Sequence, residues 1–124
     1  MRQLQGGGLM ADHTVTLKLT VSDQALRDLL VTAVEGGANY WAEFTRVKRD
    51  ADLNILSVVV RDQETLGCDW LVTPHTLVLG LQRLADATWK RAHDHLHAAV
   101  VEDGDAETAD VVLQMALFGE LVYG

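Results

Sequence analysis

The sequence predicts a single small α+β domain, an antiparallel sheet packed with two or three helices. Three observations carry that reading. Apolar residues alternate in period two along residues 13–21, and a second β-rich pair of segments follows at 40–48 and 54–62. Apolar residues recur at helical spacing over 23–35, over a long stretch of 74–101, and again beyond 105. No linker or internal repeat interrupts the 124 residues, a length at which one domain buries roughly two-thirds of the surface its unfolded chain exposes.

The elements follow in order. Residues 1–12, with glycine at 6, 7 and 8, read as a flexible tail without an apolar run of signal-peptide length. The domain, residues 13–124, opens with Val15, Leu17, Leu19 and Val21 alternating with Thr14, Thr16, Lys18 and Thr20, the pattern of a half-buried strand. Ser22 then offers a hydroxyl cap and Asp23 a first-turn carboxylate. Leu26, Leu29, Leu30, Ala33 and Val34 carry a helix over 23–35 that Gly36 and Gly37 stop. The segments 40–48 and 54–62 form a hairpin around the polar turn 49–53. Alternation puts Ala42, Phe44, Leu56, Val58 and Val60 on its core face, and Trp41, Glu43, Thr45, Ile55, Ser57, Val59 and Arg61 on the other. A short strand over 69–73 follows Gly67. Thr73-Pro74 starts the long helix, whose interior Gly80 is a weak point. Glu102, Asp103, Gly104 and Asp105 form an acidic turn that caps a last helix with the stripe Ala109, Val112, Leu113, Ala116 and Leu117. Gly119 ends that helix, and 120–123 remain as a final strand or ordered tail.

Composition narrows the function classes. Ten Lys and Arg against eighteen Asp and Glu give a net charge of −8, which argues against general nucleic-acid or anionic-membrane binding. No segment approaches the ~20 apolar residues of a membrane span, so a cytoplasmic protein is expected. Cys68, the sole cysteine, closes no intrachain disulfide, and its neighbour Asp69 does nothing to lower a thiol pKa. His93 and His97 are four apart on one helical face, a spacing that suits two imidazoles on one metal, but no third ligand joins them, and titrating surface histidines are the plainer reading. No cofactor is implied. Asn39, Tyr40 and Trp41 form an aromatic-plus-amide group suited to a planar ligand, and Arg61 is placed to lie on the Trp41 indole. With Glu43 and Gln114 these complete the candidate binding residues. Glu102, Asp103, Asp105, Glu107 and Asp110 read as helix capping and solvated surface, or as a contact for a basic partner. Val31, Trp41, Val59, Leu79 and Met115 lie off the apolar stripes, more open apolar surface than a small monomer leaves, so a two-fold dimer is expected.

Two blocks carry a resemblance: Glu35-Gly-Gly-Ala-Asn-Tyr-Trp41, and the segment 109–124, ADVVLQMALFGELVYG. Together they resemble a family of small acidic bacteriophage and prophage proteins, mostly uncharacterised, which share a Glu-Gly-Gly-x-x-Tyr-Trp block and a C-terminal Ala-Asp…Gln…Phe-Gly-Glu…Gly block. The blocks span about a fifth of the chain, and the resemblance transfers no catalytic residue. It implies a phage context, in which three functions are expected in order. The first is a non-enzymatic protein that binds a host defence protein or nucleoprotein. The second is an oligomeric sponge for a nucleotide signal, and the third a small metal-dependent enzyme using His93 and His97. Contacts between Tyr40 or Trp41 and residues 114–123 are expected if the two blocks share a site.

Overall fold

The computed structural model describes residues 12–64 and 67–124, so the expected glycine-rich tail, apart from Asp12, lies outside the described residues. Helix α1 (Asp23–Thr32) is capped by the Ser22 hydroxyl, which accepts from the Ala25 amide at 3.0 Å, and runs into one wider turn at Ala33–Gly37. Strands β1 (Ala42–Arg49), β2 (Ile55–Asp62) and β3 (Asp69–Val72) form an antiparallel sheet in that spatial order. Helices α2 (Thr76–Asp86), α3 (Ala92–Val100) and α4 (Ala106–Phe118) follow. This is the α+β domain the sequence predicts.

The organising element is α4. Every residue from Thr108 to Ala116 is buried, as expected of a helix apolar nearly all round that packs against neighbours on several sides. Helices α1, α2 and α3 all contact it, and its last residue, Phe118, meets Trp41 and Trp70 at ring-centroid distances of 5.3 and 5.5 Å. Asp105 caps its start, accepting from the Thr108 amide at 2.9 Å. That bond holds the Asp105 carboxyl below the usual carboxylate range. Gly80 is the point where α2 crosses α4. An added Cβ there would meet the Val112 carbonyl and the Ala116 amide, so the residue that weakens the isolated helix is the one that permits the packing.

Four expectations are corrected. Residues 13–21 are exposed up to Thr20, and among the described residues they join no strand; a period-two pattern specifies a strand only where a ladder partner lies alongside. The helix expected over 74–101 is two helices with a break at 87–91, where Arg91 takes a left-handed backbone (φ 74°). A straight helix of that span would run about 42 Å against about 20 Å for α4, and the break lets both halves pack on α4. Leu56 is exposed and Ile55 buried, because the β1–β2 register slips twice, between Thr45 and Lys48 and again between Lys48 and Arg49. The first slip includes Arg46 in left-handed conformation (φ 52°), and the second leaves Leu56 as the extra residue. Trp41 is 1% exposed and points inward, since it precedes the ladder and escapes its alternation. With Met115 also buried, the most exposed apolar residues are instead Val15, Leu17, Leu71 and Leu53, while Leu79 of the expected set is exposed.

Candidate functional site

The two sequence blocks meet on a carboxylate. Asp110, one turn into α4 and 8% exposed, accepts from the Tyr40 hydroxyl at 2.5 Å, the Trp41 indole N–H at 2.7 Å and the Gln114 amide at 3.0 Å. Gln114, a turn further on, reaches the C-terminal segment. Its Oε1 accepts from the Val122 and Tyr123 amides at 2.8 and 2.9 Å, and its Nε2 donates to the Tyr123 carbonyl at 3.2 Å. The Tyr123 ring stacks on Trp41 (5.4 Å, 8° between planes), and its hydroxyl donates to both oxygens of Asp62 at 2.7 and 2.9 Å. Residues 121–124 are thereby clamped to the end of the sheet, with Trp41 closed beneath them.

The sequence of the first block serves the same clamp. At Gly37 an added Cβ would lie 2.7 Å from the Ala106 carbonyl, so glycine lets the end of the α1 turn lie against the start of α4. Glu35 pairs with Arg49 at 3.3 Å and ties that turn to β1. Both phenols become harder to ionise. Burial and the Asp110 carboxylate push Tyr40 up to about 12, and the hydrogen bond to Asp62 does the same for Tyr123. A tyrosine held neutral beside a carboxylate is a hydrogen-bond donor rather than a base, so the cluster's chemistry is that of positioning.

The remaining candidates separate from this cluster. Trp41 is not on the face of Glu43 and Arg61, and Arg61 does not stack on it. The Arg61 guanidinium pairs with Asp69 at 2.8 and 3.1 Å, which holds the Asp69 carboxyl below its usual range. The face pointing away from the helices carries two cross-strand rows, Glu43–Arg61–Asp69 and Thr45–Val59–Leu71, and Leu71 is 69% exposed. Asn39 is exposed, its carbonyl accepting from Gln63 at 3.4 Å. His93 and His97 are exposed on α3 beside a groove of about 560 Å³, and His93 Nε2 lies 3.2 Å from the Ala85 carbonyl. His95 is buried, its Nδ1 3.0 Å from the Thr108 hydroxyl. Among the described residues no group of three His, Cys, Asp or Glu is gathered to hold a metal ion.

Sequence reasoning missed Asp110, Asp62 and Tyr123 as parts of one network. Asp110 was expected on the solvated surface. The available signal was its position four residues before Gln114 on a helix whose intervening residues, Val111, Val112 and Leu113, are all apolar. A small hollow of about 370 Å³ remains beside the clamp, lined by Tyr40, Asp110, Val111, Gln114, Tyr123 and Gly124. No family model, curated protein or solved structure matches this chain. No helix among the described residues is long and apolar enough to cross a membrane.

Proposed function

We propose that this chain is a non-enzymatic phage or prophage accessory protein that counters host defence in the host cytoplasm, binding a defence protein or nucleoprotein, and that it works as a homodimer. The observation carrying this reading is the open face of the sheet. There Val59 and Leu71, in a row with Thr45, lie beside the charged row Glu43–Arg61–Asp69, an apolar patch edged by oriented charge of the kind protein interfaces use. The aromatic-plus-amide group supports the nucleotide sponge less well. The Trp41 ring face is taken by Tyr123, and the polar atoms of Tyr40 and Gln114 are bonded within the chain. Resemblance of the blocks 35–41 and 109–124 to phage proteins supplies the biological context.

The test is phage plating on hosts carrying single defence systems, with this protein expressed in trans. Restored plating on at least one system is expected, with loss of the effect in Leu71→Arg and Arg61→Glu while the fold is retained. Native mass spectrometry separates the other readings: a nucleotide adduct supports the sponge, and a metal adduct lost in His93→Ala supports the enzyme. No restored plating on any system, or restoration indifferent to both sheet variants, would contradict the proposal.

A further inference from the structure

We infer that residues 13–21 are an intermolecular strand, paired antiparallel with the same residues of a second copy across a two-fold axis at Leu17. This deepens the homodimer reading above and rests on it.

The segment reads HTVTLKLTV, with β-branched or aliphatic residues at seven of its nine positions. It forms no helix or strand, Val15, Leu17 and Leu19 are 79%, 76% and 55% exposed, and among the described residues no strand pairs with it. A β-prone segment whose backbone donors and acceptors meet no ladder among the described residues is a template for another strand. The segment's own sequence supplies that strand. Centred on Leu17, antiparallel pairing sets Leu17 opposite Leu17, Val15 opposite Leu19 and His13 opposite Val21, while Lys18 meets Thr16 rather than another lysine. All four apolar residues of each copy then share one face of the ribbon.

That face has somewhere to go. Val15, Leu17 and Leu19 already line the groove between α2 and α3 with Ala85, Leu96 and Val100. A two-stranded ribbon is marginal alone in water and becomes stable on an apolar surface, which the grooves of the two copies provide. Charge favours the same contact: in a chain of net charge −8, residues 13–21 contain no carboxylate and include Lys18. Two acidic copies therefore approach with least repulsion at this segment. A second copy fits better than an unrelated partner because the pairing sets apolar against apolar at Val15, Leu17 and Leu19.

The experiment uses the full chain. Light scattering at tens of micromolar is expected to give a dimer mass, and Leu17→Pro, which removes a ladder donor, a monomer with an unchanged circular-dichroism melt. In a Cys68→Ser background, Leu17→Cys is expected to oxidise to a covalent dimer, because paired strands bring Cα atoms to roughly 4.5–5.5 Å, within disulfide reach. Thr20→Cys, three positions from the axis, places its two thiols roughly 20 Å apart and is expected to remain uncrosslinked. A wild-type monomer overturns both the dimer and the strand. A dimer that survives Leu17→Pro, or that crosslinks through Thr20→Cys and not Leu17→Cys, keeps the dimer and overturns the strand.

Discussion

Replacing Asp110 with alanine removes the acceptor on which both sequence blocks converge, and the structure fixes how much that should cost. Three donors lose their partner, and a hydrogen bond to a charged group contributes about 1.5–3 kcal/mol, so a simple sum overshoots. The Tyr40 hydroxyl belongs to a side chain 55% exposed and recovers a water. Gln114 keeps the Tyr123 carbonyl at 3.2 Å and the Tyr40 hydroxyl at 3.3 Å. Only the Trp41 indole N–H, in a residue 1% exposed, is left without an acceptor, at about 1–3 kcal/mol. Adding the lost packing of the carboxyl and subtracting the relieved desolvation of a mostly buried anion leaves a net loss of about 2–3 kcal/mol. Asp110→Asn keeps an acceptor for Trp41 and should lose about half as much. Urea melts followed by tryptophan fluorescence measure both, with an unchanged m-value as the check that only stability moved. A loss below about 0.5 kcal/mol for the alanine variant would refute the reasoning, since that is the range of ordinary surface changes.

Trp41→Ala removes a ring held between Tyr123 and Phe118 and should cost about 3–5 kcal/mol in the same melts, the mark of a structural residue. The two tyrosines should ionise late. A folded pKa raised from 10 to about 12 means their contribution to stability is intact below pH 10 and is lost as pH rises towards about 12, so tyrosinate absorbance should appear together with unfolding rather than near pH 10. Gly80→Ala should destabilise by about 1–3 kcal/mol in thermal melts although alanine favours helix, because its methyl would separate α2 from α4. Leu71→Arg on the open sheet face should leave stability within about 0.5 kcal/mol.

Local signals in the sequence were reliable wherever the chain itself answers them. Ser22 and Asp105 cap the helices they precede, Gly119 ends α4, and Ala42, Phe44, Val58 and Val60 alternate inward as the pattern requires. The failures share one cause: the deciding contact came from elsewhere in the chain. Nothing at 87–91 is glycine or proline, and the helix breaks there because α4 is shorter than the stretch that must pack on it. Leu56 reads as core until the register slips opposite β1. Asp110 reads as a solvated acid until Tyr40 and Trp41, some seventy positions earlier, turn their donors toward it. The candidate site was half legible. The two blocks contain Tyr40, Trp41, Asp110, Gln114 and Tyr123 but not Asp62, and only the structure joins these residues in one clamp and separates it from the sheet face carrying Glu43 and Arg61.

The central claim is that the last residues of the chain are clamped by Gln114 over Trp41 and move only when the whole domain opens. Native-state hydrogen exchange at the Val122 and Tyr123 amides and the Trp41 indole N–H reads this directly. The clamp predicts that all three exchange at the slow rate of global unfolding and accelerate together in Asp110→Ala. Exchange of the Val122 and Tyr123 amides at the rate of an unstructured peptide, with the Trp41 indole still protected, would contradict it.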